Sequence, residues 1–577
     1  MKKIFPTLAA FLAFSTHPGA AQSFSTVFEQ SKGKQTTDYA ALIRFYEQLD
    51  TAYPEINMQT AGGTDAGHPL HVVYYSKDGH FTVNEWQQKN KIIILINNGI
   101  HPGEPDGIDA SMMLLRDAAG GKVNIPDNVV LAVIPVFNVG GMLNRGSYSR
   151  ANQNGPEVYG FRGSAQNLDL NRDFIKMDAQ ETRNLVRLFR TLGPDIFIDN
   201  HVSNGADYQH VMTLLTPNSK KQGYFMGKYL KNVFEPGLYE VMKGKGYDLV
   251  PYVNHWGNTP DKGWEQFYEP PRFTSGYAAL FRTFAFVPET HMLKPYKDRV
   301  AATYELMRTF IDFAAGHQEE IKGVRELEWK AMQERDEFTI DWKVDTSLKS
   351  DIVFKGYEAA YKPSAVSGQP RLYYDRNKPY TKTVPFYDKY AATQTAKAPR
   401  YYVLPQGWQD AVQNLRINRV DMILLEKDTV MELTVYRITD YETSKKPYEG
   451  HYLHSKVQFE TRKEKVKLLR GDYLIPVQQK AKRYLIETLE PNAPDAFFAW
   501  NFFDAILQQK EHFSDYVFED EAAQLLLSDP QLRSLLEDKK KTDPKFAADG
   551  HAQLEFIYQH SVYQEPEYMR YPVFRID

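Results

Sequence analysis

The sequence predicts an α/β fold, a three-layer α/β/α unit around a mixed, mostly parallel sheet, followed by a β-rich region with helices. As far as about residue 325, apolar strand-like runs alternate with amphipathic stretches of helical period, the pattern of a sheet covered by helices on both faces. Beyond Val324 the runs become short and alternating between turns, which reads as β structure. The length of 577 residues exceeds what one hydrophobic core usually carries, so two domains are expected.

Strands are expected over residues 70–75, 91–100, 128–137, 195–200 and 283–287. Ile92-Ile93-Ile94-Leu95-Ile96 is apolar at every position, as in a strand buried on both faces. The clearest helix covers 178–192. Asp178 and Glu181 form a capping box, Leu185, Val186, Leu188, Phe189 and Leu192 share a face, and Gly193-Pro194 is the stop. In the second region, 351–354, 422–425, 431–436 and 456–460 read as strands. Residues 494–509, 519–527 and 530–537 read as helices, the last two split by Ser528-Asp529-Pro530, and 538–545 as an exposed charged connector.

The first residues have the form of an export signal: Lys2-Lys3, a mostly apolar stretch over 4–14, then Gly19-Ala20-Ala21. The expected division is a leader over 1–21, a first domain over 22–325 and an accessory domain over 326–577, in a periplasmic or extracellular protein. No later stretch reaches the length of a membrane helix. A net charge of −4 carries no basic excess, which argues against nucleic acid as a partner. Zero cysteines exclude disulfides, thiolate metal ligands, a thiol nucleophile and a lipidated cysteine.

Chemistry-bearing residues fall at the ends of expected strands. His101 and Glu104 follow the strand ending at Ile100, His201 follows Asp195–Asn200, and Glu289 follows Phe284–Pro288. Open α/β sheets bind ligands at that carboxyl edge. Imidazole and carboxylate three positions apart offer half of a zinc site, which needs a third ligand and an open position for water. A second His-x-x-Glu, His317 to Glu320, stands at the exit of a helical stretch and reads as a solvated end.

His101-Pro102-Gly103-Glu104, then Asp169-Leu170-Asn171-Arg172, then His201, then Val287-Pro288-Glu289-Thr290 together resemble the metallocarboxypeptidase family of the carboxypeptidase A type. The likeness covers roughly residues 28–320. It implies one Zn²⁺ per chain on His101, Glu104 and His201, with Asp169 accepting the second ring N–H of His101. It further implies Glu289 as general base, and Asn171 and Arg172 as the grip on a peptide's C-terminal carboxylate. For the family's oxyanion arginine the choice is Arg150, with Arg145 and Arg162 as competitors. For its substrate-covering tyrosine the candidate is Tyr277. Asn138-Val139-Gly140-Gly141 departs from the family's Asn-Pro-Asp-Gly turn, and the C-terminal region is additional.

The expected activity is hydrolysis of the C-terminal peptide bond of a peptide with a free carboxylate. The alternatives are a zinc-dependent peptidoglycan-peptide hydrolase or amide deacylase, and an inactive peptide- or glycan-binding protein.

Overall fold

A computed structural model describes residues 24–257 and 259–577; the expected leader lies outside the described residues. An eight-stranded sheet forms the centre of the first region. Its strands are β1 (Ile56–Gly63), β2 (Pro69–Tyr75), β3 (Ile92–Asn97), β4 (Val129–Ile134), β5 (Ile196–Asp199), β6 (His201–Ser203), β7 (Met212–Leu215) and β8 (Phe284–His291). Their order is β1-β2-β4-β3-β5-β8-β6, with β7 also against β8. β4, β3, β5, β8 and β6 pair in parallel, while β1, β2 and β7 join antiparallel.

Period-two alternation explains why the central strands are apolar throughout. Ile92, Ile94 and Ile96 face one way, into a layer with α1 (Tyr39–Ala52), α2 (Asp106–Ala119) and, later in the chain, the long helix Tyr296–Gly316. Ile93 and Leu95 face the other way, toward α3 (Gln180–Leu192) and α4 (Thr274–Leu280). The sheet is therefore sandwiched, as the alternation of patterns implied.

The start of α3 departs from expectation. Its N-cap is Ala179, with no side-chain cap. Asp178 instead accepts from Lys176 Nζ at 2.7 Å and meets His451 Nε2 at 2.9 Å, while Glu181 accepts the Asp65 N–H. Ionic and long-range partners outcompete the local box. The stop is as expected, with Gly193 at φ 56°, a left-handed conformation that glycine adopts cheaply.

The later region holds an antiparallel pair, Glu337–Val344 with Tyr390–Lys397, and a long hairpin, Ser350–Pro363 with Pro370–Tyr387. That hairpin's last residues pair in parallel with Trp264–Glu265 of the first region. A six-stranded sheet follows, running Ile423–Leu424, Tyr473–Pro476, Tyr401–Leu404, Phe574–Ile576, Thr429–Thr443, His454–Leu468. Helices Asp515–Ser528, Pro530–Thr542 and Gly550–Gln559 enclose a small apolar cluster of their own.

Two helical expectations fail for physical reasons. Residues 494–509 contain one 3₁₀ turn, Asp504–Leu507, because Phe497, Phe498, Trp500 and Phe503 are all buried and leave no polar face, and Asn501 sits at φ 66°. Residues 538–545 are no connector: the helix from Pro530 continues to Thr542, and Asp543 caps the next turn.

The apolar layer under α3 does not stop at residue 325. Leu185, Phe189 and Tyr277 belong to the same cluster as Tyr402, Leu415, Ile475, Tyr484 and Trp500. A chain cut after residue 325 would expose that layer, so it should lose cooperative thermal unfolding, followed by circular dichroism. A fragment melting cooperatively near the Tm of the whole chain would show the two regions to be independent.

Candidate metal centre and cleft

β6 begins at His201, and its parallel register with β8 sets His201 directly beside Glu289. β3 ends at Asn97, and the turn beyond it delivers His101 and Glu104 just ahead of α2. That turn demands glycine at position 103, where a Cβ would fall 2.7 Å from Arg150 Cδ and 2.9 Å from the Gly160 carbonyl.

His101, Glu104 and His201 are buried, and one ligand atom from each lies within 4.8 Å of the others. Glu104 Oε1 is 3.4 Å from His101 Nδ1, and Oε2 is 3.3 Å from His201 Nδ1. The far ring nitrogens are taken: His101 Nε2 lies 2.9 Å from Asp169 Oδ1, and His201 Nε2 lies 2.9 Å from Asp199 Oδ2. An ionised carboxylate only accepts, so with Nε2 as the donor each neutral ring presents a bare Nδ1, although Arg162 Nη1, itself a donor, also lies 2.6 Å from His101 Nε2.

A bare Nδ1 facing a carboxylate sets two acceptors against each other, which is unfavourable unless a cation or proton lies between them. His101 Nδ1 is buried and has no hydrogen-bond partner among the described residues. Two imidazole nitrogens and one carboxylate are the donor set of a catalytic metal site with an open position. The residues therefore fit a metal ion.

Charges at the centre follow the same geometry. Burial alone would raise the Glu104 carboxyl, but His101 and Arg150 hold it well below the usual range. Burial alone would lower the His201 imidazole, yet Asp199 and Glu104 raise it well above the usual range. A proton on His201 thus competes with a metal. Burial pushes the Glu289 carboxyl up to about 8, and the Glu104 and Glu269 charges push the same way.

Around the centre lies a cleft of about 550 Å³ whose walls include Arg150, Arg162, Asn171, Arg172, Tyr252, Glu269, Phe273 and Glu289. Asn171 and Arg172 sit on a 3₁₀ turn capped by Asp169, whose Oδ1 accepts the Asn171 N–H at 2.9 Å. Thr274 donates its backbone N–H to Asn171 Oδ1 at 3.1 Å, while its hydroxyl, 3.0 Å from the same oxygen, donates to Asp199 Oδ2 at 2.6 Å. The Asn171 amide nitrogen is the end left over. The Arg172 guanidinium stacks 4.1 Å from the Phe273 ring centre.

Of the three candidate arginines, two reach the centre. Arg150 Nη1 and Arg162 Nη2 donate to Glu104 Oε1 at 3.1 and 3.2 Å. Arg145 instead donates to the carbonyls of Thr36, Thr37 and Val158. Tyr277 requires correction: it is fully buried, packs among Phe174, Phe189 and Phe281, and its hydroxyl donates to Asn418 Oδ1 at 2.6 Å. It lies on the inward face of α4 and cannot cover a ligand without unpacking the core. The phenol in the cleft wall is Tyr252.

His317 to Glu320 is not a solvated end: His317 joins the helix Tyr296–Gly316 to the helix Gln318–Glu334, its ring stacked 4.0 Å from that of Phe313, and Glu320 accepts from the Tyr229 hydroxyl at 3.1 Å.

Sequence reasoning missed Asp199, Tyr252, Glu269 and Glu449. Asp199 had a signal, a carboxylate two positions before His201 and hence on the same side of an extended strand. Tyr252 lies in the irregular stretch after the helix Glu235–Gly244, and Glu269 in the one after the short strand Trp264–Glu265, neither with a periodicity to read. Glu449 is remote in sequence, yet its Oε2 accepts the backbone N–H of Asp169 at 2.7 Å. Asp495 likewise accepts the Arg272 N–H at 2.9 Å and pairs with its guanidinium at 2.8 Å, bracing the loop that leads to Phe273.

No protein-family model matches the chain. Carboxypeptidase 2 of Trichophyton equinum is 20% identical over 437 residues, covering 72% of this chain and 74% of that protein. Carboxypeptidase 2 of Trichophyton rubrum is 20% identical over 458 residues, covering 75% and 78%. Among solved structures, a metallo-carboxypeptidase from Burkholderia cenocepacia aligns at TM-score 0.36 and 16% identity, over 48% of this chain and 68% of that one. Ligand geometry and the curated relatives support a metallopeptidase. They support, more narrowly, the metallocarboxypeptidase family of the carboxypeptidase A type.

If Asp199 orients His201, Asp199→Asn should weaken metal affinity by roughly 10- to 100-fold, the usual scale for such partners. Competition against a chromogenic chelator measures it, and unchanged affinity would remove Asp199 from the centre.

Proposed function

We propose that the protein is an exported zinc-dependent carboxypeptidase that releases the C-terminal residue of peptides. Of the expectations drawn from the resemblance, this keeps His101, Glu104 and His201 as ligands, Asp169 as the partner of His101, Glu289 as base, Asn171 and Arg172 as the carboxylate grip, and Arg150 as oxyanion donor. The observation that carries it is that Asn171 and Arg172 line the same cleft as the three ligands and Glu289. An exo-acting enzyme needs a fixed anion receptor beside its hydrolytic centre. Export is supported by the character of residues 1–21 and is tested by N-terminal sequencing of the secreted protein.

Zinc bound at the three ligands would supply a polarised water and a Lewis acid for the scissile carbonyl. The chain's own residues do the remainder. Arg172, its plane fixed against Phe273, matches a carboxylate with two parallel N–H donors, and the Asn171 amide adds a third. Anchoring that end presents the last peptide bond to the centre. Glu289 takes a proton from the attacking water and returns it to the departing amine, and burial, which pushes its carboxyl up to about 8, favours its holding that proton in between. Arg150, aligned by Gln153 Oε1 at 2.6 Å, donates to the oxygen on which negative charge develops.

Metal-stripped protein should lose peptide hydrolysis and regain it with about one zinc per chain, measured by elemental analysis alongside activity. Glu289→Gln should keep that zinc while kcat falls by roughly 10²-fold or more. Loss of zinc with an unchanged rate per bound metal would reverse those roles. A peptide with an amidated C-terminus should be hydrolysed far more slowly than its free acid, and Arg172→Ala should remove the difference. Equal turnover of the two peptides by the unaltered enzyme would favour the amide deacylase or endopeptidase alternative.

A further inference from the structure

Three carboxylates line the cleft: Glu104, Glu289 and Glu269. Glu104 is bridged by Arg150 and Arg162 and faces both imidazoles, and Glu289 stands beside His201. Glu269 has neither occupation. It is 5% exposed, it forms no ion pair among the described residues, and its one side-chain hydrogen bond there is from Ser275 Oγ to Oε2 at 2.5 Å. Burial makes this carboxylate costly to keep, the Ser275 hydroxyl and the His201 and Arg172 charges near it offset that only in part, and a cation arriving from the cleft relieves the remainder.

Its placement is rigid. Pro270 and Pro271 follow it and restrict the backbone, and α4 packs directly on the loop. A Cβ at Gly276 would fall 2.5 Å from the Glu269 carbonyl oxygen and 2.1 Å from that of Pro270, so only glycine admits this approach. Four residues beyond Glu269, Phe273 carries the Arg172 guanidinium. The Glu269 loop and the carboxylate grip are thus one structural unit. Tyr252, Phe267 and Phe273 supply apolar wall on the same cleft, suited to the methylene stem of a long side chain with a charged head.

We propose that Glu269 selects the residue to be released, and that the preferred substrates are peptides ending in lysine or arginine. This rests on the carboxypeptidase reading above. With the α-carboxylate on Arg172 and Asn171, the terminal side chain extends along the apolar wall and its ammonium or guanidinium meets Glu269. A terminal glutamate or aspartate brings like charge against a buried carboxylate and is disfavoured.

The test is a set of dansylated tripeptides that differ only in their free-acid terminal residue: lysine, arginine, leucine or glutamate. The zinc-loaded full chain should show kcat/KM for lysine and arginine at least about tenfold above leucine, with glutamate lowest. Free lysine should inhibit as a product at lower concentration than free leucine. Glu269→Gln should cut the lysine-to-leucine ratio by about tenfold, and Ser275→Ala should lower it by releasing the carboxylate. Hydrolysis of all four peptides with a lysine-to-leucine ratio near one overturns the proposal and leaves the carboxypeptidase reading standing. No hydrolysis of any free-acid peptide overturns that reading instead. If Glu269→Gln fails to fold, the substrate ratio and product inhibition of the unaltered enzyme still decide.

Discussion

A neutral imidazole has one nitrogen that donates and one that accepts, and two aspartates fix which is which at His101 and His201. By accepting from Nε2 they turn both Nδ1 lone pairs on Glu104. The remaining features of the cleft respect that arrangement. Asp169 has a second duty as cap of the turn bearing Asn171 and Arg172, so the ring of His101 and the proposed anion grip share one carboxylate. Asp199 is reached in turn by Asn97 Nδ2 at 2.9 Å and Thr274 Oγ1 at 2.6 Å, and Thr274 also contacts Asn171. Ligands and grip are therefore one connected polar network, in which displacing any member costs its neighbours a buried partner.

The parallel sheet explains where this network stands. β3, β5 and β8 run side by side in one direction, so their carboxyl ends reach a common edge. The interruption at Asn200 lets the chain re-pair with β8 as β6, in the register that sets His201 next to Glu289. The later region closes the opposite side. Through Glu449 and Asp495 it holds the backbones of Asp169 and Arg272, in the two segments that carry Asn171 and Arg172 on one side of the cleft and Phe273 on the other. Glu449 is held at φ 49°, a conformation that a non-glycine residue adopts at some cost, in keeping with a position fixed by what it must reach.

Much of this was legible in the sequence because it rests on local signals. The continuous Ile92–Ile96 run marked a strand buried on both faces, Gly193-Pro194 marked a helix stop, and polar residues past the expected strand ends marked His101, Glu104, His201 and Glu289, although β8 runs on through Glu289 to His291. Features resting on distant partners were not. Asp178 and Glu181 have the spacing of a capping box, but Lys176, His451 and Asp65 claim them in the folded chain. Tyr277 has the right residue type near Glu289, yet α4 turns it into the core toward Asn418, while Tyr252 and Glu269 reach the cleft from two irregular stretches on either side of Trp264–Glu265, with no periodicity to read. The aromatic run from Phe497 to Phe503 looked helical from its apolarity and is instead a packed, irregular plug.

The strand Phe574–Ile576 lies inside the six-stranded sheet, between Tyr401–Leu404 and Thr429–Thr443, and not at its edge. Arg575 on that strand reaches Glu490 at 2.8 Å within the layer that backs α3. The support of the cleft thus depends on a segment that leaves the ribosome after every other described strand. Without that segment Glu490 stays buried with no guanidinium against it, and the six-stranded sheet keeps an open seam.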